Sequence, residues 1–262
     1  TILECIEGVQ KADDGAVLVL GMNTIEHPRQ VKDRIGVQLQ SSAYFDRLTL
    51  TEILDLFGQM YSRRVEPEKL LKMVELSEKA GDVVKALSGG QKQRFTLAAS
   101  LVNDPEVVFL DEPTTGLDPL ARRNVWELIE RMHAEGRTIV LTTHYMEEAQ
   151  HLCERVAVMD AGAIIALDSP SELIRGLSTP FQIRLSTSIP VAMDDLAELP
   201  GVQQPVSQDG EYYLLPSFST EATLPALLQW LNDKSVSPLH LEVISATLED
   251  VFLKLTGKDL RD

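Results

Sequence analysis

The chain has 262 residues, 44% of them hydrophobic and 24% charged, with a net charge of −16 and a pI near 4.7. This length supports a sizeable core. The acidic balance weighs against nucleic acid, whose phosphates need a basic face, and against attachment to anionic lipid by charge alone. The two cysteines, Cys5 and Cys153, form no disulfide framework and fit a reducing cytoplasm. No apolar run approaches the roughly 18 residues that cross a bilayer, so the chain is not itself a membrane channel.

TILECIEG at 1–8 places apolar residues at 2, 3 and 6 ahead of Gly8, like the end of a helix. Strand-like apolar runs occur at 16–20, 35–39, 107–110, 138–142, 155–159 and 163–167. Between them lie helical patterns at about 51–61, 67–77, 90–102, 120–134 and 145–153. The alternation predicts an α/β fold with a mostly parallel sheet covered on both faces. Thr49 and Glu52 form a capping box ahead of ILDLF. Ser169, Pro170 and Glu172 give a cap, a first-turn proline and a capping acid ahead of LIRG. Residues 41–86 hold two helices and no convincing strand, which reads as a helical insert reaching to about 95. After Gly176 the texture changes, and FQIRLS, EYYLLP and LHLEVI read as shorter strands with helices at 191–199 and 221–232 among them. The expected organisation is a core at 1–176, a small α+β accessory domain at 177–246, and a closing helix at 247–262 with Thr247 and Asp250 as its cap pair.

Two stretches carry chemistry. VVFLDE at 107–112 is a buried strand ending in two carboxylates, and ligands sit at the carboxyl ends of parallel strands. Asp111 there can hold Mg²⁺, and Glu112 can act as general base on a water. Taken alone, the pair is equally an ordinary strand end with two solvated acids. SGGQ at 88–91 opens a helix. Ser88 can cap it, Gly89 and Gly90 allow close approach of a ligand to the backbone, and the free N–H groups suit a phosphate. Taken alone, it is a glycine turn before a core helix.

In this order and spacing, LSGGQ at 87–91 followed by LDEPTTGLD at 110–118 is similar to the nucleotide-binding subunits of ABC transporters. The resemblance implies a P-loop ATPase core, ATP and Mg²⁺ as cofactors, and ATP hydrolysis coupled to transport. RIGVQLQ at 34–40 resembles the Q-loop strand, with Gln40 approaching Mg²⁺ and the attacking water; Gln38 is the weaker match. GLD at 116–118 resembles the D-loop, with Asp118 at the partner subunit. IVLTTH at 139–144 ends in a counterpart of the switch histidine, His144, which would bond the γ-phosphate. The implied catalytic set is therefore Glu112, His144 and Gln40, with Asp111 and Gln40 at the metal. Ser88, Gly89, Gly90 and Gln91 would serve the nucleotide of the neighbouring subunit. A rival reading takes His144, Glu148 and His151 as metal ligands on one helical face.

The 262 residues contain no GxxxxGK[ST] phosphate loop. The same register puts that loop just before residue 1, with Thr1 following its Mg²⁺-binding hydroxyl residue. The expectation is a chain lacking its natural N-terminus and inactive alone. The stretch from Thr143 to Leu173 and the ending LEDVFLKLTG resemble exporter-type subunits, which imply a multi-span membrane permease as partner, a homodimer or heterodimer of ATPase subunits, no nucleic acid, and residence on the cytoplasmic face of the plasma membrane. In the family the helical insert, here with Tyr44, Phe45, Phe57 and Tyr61, grips the membrane subunit. The alternatives are a soluble ABC ATPase acting on a macromolecular partner and a non-catalytic interaction subunit.

Overall fold

The computed structural model describes residues 2–8, 10–38 and 44–257. The chain divides into two compact units, residues 1–144 and 145–262. The boundary after 176 expected from the sequence thus falls inside the second unit.

In the first unit, helix α1 (Ile2–Ile6) precedes a small hairpin of β1 (Leu18–Val19) and β2 (Met22–Asn23). The run at 16–20 was expected to be a buried strand, and it is corrected here. Leu20 and Gly21 both adopt positive φ, which folds the chain back in a tight hairpin turn. Only Val19 of the pair is buried; Leu18 is exposed. Helix α2 (Pro28–Lys32) leads into β3 (Ile35–Gln38). After it come α3 (Leu50–Gly58), α4 (Pro67–Met73) and two single 3₁₀ turns, Ser77–Lys79 and Val84–Ala86. Thr49 caps α3 as read: its hydroxyl accepts from the Glu52 N–H, and Glu52 accepts from the Thr49 N–H at 2.8 Å.

Helix α5 (Gly89–Ala99), β4 (Val107–Asp111), α6 (Pro119–Ala134) and β5 (Thr138–Thr142) complete this unit. The three longer strands form a parallel sheet in the order β3-β4-β5. The middle strand explains its own sequence. Covered on both faces, it buries Val107, Val108, Phe109 and Leu110 in succession, so the run is continuous rather than alternating. One face packs Val107 and Phe109 with Val19, Val31 and Ile35. Helix α5 comes so close to β3 that a Cβ on Gly36 would lie 2.1 Å from the Ser100 carbonyl oxygen. Asn103 Nδ2 locks the junction by donating to the Ile35 carbonyl at 2.8 Å.

The second unit starts with α7 (Met146–Leu152), then β6 (Val156–Asp160) and β7 (Ala163–Asp168). These two strands form an antiparallel hairpin of their own, turned by Ala161 and Gly162 at positive φ. Helix α8 (Pro170–Arg175) starts as its sequence predicts, with Ser169 accepting from the Glu172 N–H. Then follow β8 (Phe181–Thr187), α9 (Met193–Ala197), β9 (Ser207–Asp209), β10 (Tyr212–Ser217), α10 (Thr220–Asp233) and β11 (Pro238–Ser245). Their sheet is antiparallel with the order β11-β8-β10-β9, the split β-α-β arrangement of ferredoxin-like folds. Ile183, Leu185, Tyr213 and Leu215 bury one face against Leu196, Leu227 and Leu231 of the two helices. Helix α11 (Leu248–Thr256) closes the described chain, with Asp250 accepting from the Thr247 N–H at 2.7 Å. Leu248 and Val251 of α11 pack with Ala149 of α7. Among the described residues no helix is long and apolar enough to cross a membrane.

Candidate active site

Asp111 is the last residue of β4 and pairs in register with Thr142, the last of β5. The Thr142 hydroxyl donates to Asp111 Oδ1 at 2.5 Å. Glu112, the next residue, has φ of +47°, a left-handed conformation that costs a non-glycine residue energy and needs support from its surroundings. Its N–H supplies that support by donating to the Thr142 carbonyl at 3.1 Å and to the Thr142 hydroxyl at 3.2 Å. Thr142 therefore aims both acids. The sequence reading missed it, although its place two residues before His144 becomes readable once β4 and β5 are aligned.

The Glu112 side chain accepts from the Thr115 hydroxyl at 2.9 Å. The same oxygen, Oε2, lies 3.4 Å from His144 Nδ1. Asp111, Glu112 and His144 thus gather at the carboxyl ends of two adjacent parallel strands. The hard carboxylate oxygens there fit Mg²⁺, and a carboxylate beside an imidazole can pass a proton.

The helix opened by SGGQ is built as a cap. Ser88 Oγ accepts from the Gln91 N–H at 3.4 Å, and Gln91 Oε1 accepts from the Ser88 N–H at 3.0 Å. The Gln91 side chain is therefore engaged with its own helix. The two glycines differ. A Cβ on Gly90 would come 3.1 Å from the Ala121 Cβ, so packing of α5 against α6 asks for glycine. A Cβ on Gly89 would meet nothing within 4 Å, so the packing of this chain gives no reason for glycine there. Gln93, which the sequence reading did not single out, ties this helix to the acid-bearing loop: its Nε2 donates to the Pro113 carbonyl at 2.5 Å.

Asp118 caps α6, accepting from the N–H groups of Leu120 at 3.0 Å and Ala121 at 2.9 Å. Gln38 is buried at the end of β3, and its Oε1 meets no hydrogen-bond donor among the described residues. Gln40 and Thr1 lie outside the described residues. Glu7, also missed by the sequence reading, is buried behind this site. Burial first, then the charges of Asp111 and Glu4, hold its carboxyl above its ordinary value. In the insert, the Tyr44 hydroxyl donates to Thr96 Oγ1 at 3.0 Å and its ring meets Phe95 edge-on at 5.3 Å. Phe57 is tilted against Tyr44, Tyr61 is half-buried, and Phe45 is exposed. The rival metal reading fails: among the described residues no group of three or more His, Cys, Asp or Glu side chains could hold a metal, and Glu148 is fully buried.

Comparison with known proteins points to one family. The family described as ABC transporter matches residues 1–115. Nod factor export ATP-binding protein I of Ralstonia nicotianae is 35% identical over the whole chain and 83% of that protein. The protein of the same name from Paraburkholderia xenovorans is 37% identical over the whole chain and 85% of its length. Among solved structures, cbiO1 of Clostridium perfringens, part of the ABC transporter complex cbiONQ, is similar with a TM-score of 0.59 and 27% identity, covering 67% of this chain and 74% of that one. A dimeric, post-hydrolysis ATP-binding cassette bound to ADP and Pi is similar with a TM-score of 0.57 and 25% identity, covering 64% of this chain and 78% of that one.

Proposed function

The chain belongs to the ABC transporters as one of their ATP-binding, transport-coupled ATPase subunits, and from that premise we propose that it powers export through a multi-span membrane permease, docked at the cytoplasmic face of the plasma membrane. The names of its relatives support export. The observation that carries the catalytic reading is the Glu112 carboxylate, fixed at left-handed φ beside Asp111 with its oxygen 3.4 Å from His144.

In this reading two ATPase subunits close on nucleotide held between them. Bound Mg²⁺ would neutralise phosphate charge, and Asp111 is the residue to hold it. Glu112 takes the proton of the attacking water, and His144 orients the site by hydrogen bonding. Gln40 belongs to the same set through its motif. The N-terminus of α5, with Ser88, Gly89 and Gly90, serves the nucleotide of the neighbouring subunit. The open space at Gly89 supports that role, since its lack of a side chain serves no internal contact. Asp118 is assigned to the contact with the dimer partner through its motif, as Gln40 is to the metal. In this reading residues 1–176 are the ATPase domain, 177–246 a small accessory domain and 247–262 a C-terminal helix. These 262 residues, without a phosphate loop among them, are expected to bind ATP weakly and hydrolyse it negligibly by themselves.

The test is Glu112→Gln in a chain that also carries a phosphate loop. Steady-state phosphate release is expected to fall by about 10²-fold or more, while ATP-induced dimerisation, read by light scattering, persists. Normal turnover by that variant would sink the general-base assignment.

A further inference from the structure

The sheet of the second unit has two unlike edges. On one side lies β9, three exposed polar residues, Ser207–Asp209. A short polar edge is how proteins protect a sheet from further pairing. On the other side lies β11, eight residues long and paired only to β8 among the described residues. Its sequence, PLHLEVIS, leaves Leu239 70%, Val243 39% and Ile244 39% exposed. A long apolar edge strand with open backbone N–H and C=O groups is a template for another strand.

We propose that two copies of this chain join through β11, paired antiparallel to itself about a two-fold axis. A strand pairing with its own copy forms an isologous contact, in which residue i faces j and j faces i. Opposed residues share a face of the sheet. Apolar Leu241 and Val243 alternate with His240 and Glu242, so a register that matches like faces must pair odd numbers with odd and even with even. Centring the axis on His240 sets two imidazoles opposite each other, and centring it on Glu242 sets two carboxylates opposite each other. Centring it on Leu241 sets His240 opposite Glu242 of the second copy, twice, and Leu241 opposite its own copy. Within one copy His240 Nε2 already lies 3.4 Å from Glu242 Oε2, so the two-fold would build a four-membered cluster in which imidazoles and carboxylates alternate. A β-bulge lies between Pro238 and His240, and the exposed Leu239 beside it would be covered by Val243 of the second copy.

This contact is separate from the ATP-driven closure proposed above and needs no nucleotide. The experiment therefore uses the full chain without nucleotide. Wild-type protein at tens of micromolar is expected to sediment as a dimer. Glu242→Lys, which faces a lysine with His240, is expected to weaken dimerisation about tenfold, and the swapped pair His240→Glu with Glu242→Lys to restore it. Register is read by disulfide formation. Leu239→Cys and Val243→Cys proteins are expected to cross-link when mixed but not separately, because each cysteine sits about 13 Å along the strand from its own copy. Wild-type chain sets the background from Cys5 and from Cys153, whose thiol burial pushes up to about 11. A monomeric wild type, a dimer that forms only with ATP, cross-linking of either cysteine variant alone in place of the mixture, or no recovery in the swapped pair would each overturn the proposal. The ATP-only dimer would leave the ATPase reading standing.

Discussion

The parallel sheet of the first unit and the antiparallel sheet of the second hide their apolar residues differently. The middle parallel strand, β4, is covered on both faces and buries four successive side chains. Its polar chemistry is forced to the strand end, where Asp111 and Glu112 emerge. In the second unit the helices cover one face, so β10 alternates, burying Tyr213, Leu215 and Ser217 while Tyr212, Leu214 and Pro216 are only half-buried. Its other face and outer edge remain available. Burial on both faces concentrates chemistry at one end of a sheet, whereas burial on one face leaves a surface for association.

The two tryptophans make this comparison testable, because Trp126 lies in the first unit and Trp230 in the second. The largest effect is expected in the second core. Leu215 is fully buried, and Leu215→Ala should cost about 3 kcal/mol, read as a lower urea midpoint for Trp230 fluorescence in a Trp126→Phe background. An equal shift for Trp126 alone would show that the two units unfold as one. Next is Gly36→Ala. Its Cβ would lie 2.1 Å from the Ser100 carbonyl, and forcing α5 away from β3 should cost about 2 kcal/mol, seen by Trp126 and not by Trp230.

A smaller effect separates a cap from an interface. Asp118→Ala should lose about 1 kcal/mol, and Asp118→Asn should lose little, since asparagine caps as well. If asparagine nonetheless abolishes ATP-induced dimerisation, Asp118 acts beyond its own helix. The smallest effect is at Glu7. Its raised folded-state value means that the folded chain holds this proton more tightly than the unfolded one. Stability then falls as pH rises from the ordinary value near 4.5 through the folded value. Glu7→Gln should therefore raise the melting temperature slightly above that window, with the gain fading as pH drops below it. A loss of stability at pH 8 would mean that the ionised carboxylate has a stabilising partner.

Much of this could be read along the chain because the signals are local. The hydroxyl caps at Thr49, Ser88 and Ser169, the first-turn proline at 170, and the apolar run of β4 each act within one or two turns of chain. The reading went wrong where a short turn overrode an apolar run. Leu20-Gly21 folded 16–20 into a hairpin.

The sequence by itself determined most of the longer helices and strands, the caps at Thr49, Ser88, Ser169 and Thr247, and that a buried strand ends in two acids. These follow from period, capping and burial within each segment. Only the tertiary structure decided that Thr142 faces Asp111, that Glu112 turns into left-handed φ within reach of His144, and that Glu7 lies buried behind them. Register between strands some thirty residues apart is set by packing and hydrogen bonds that no local pattern encodes. The same holds for the order β11-β8-β10-β9, which alone makes β11 an edge.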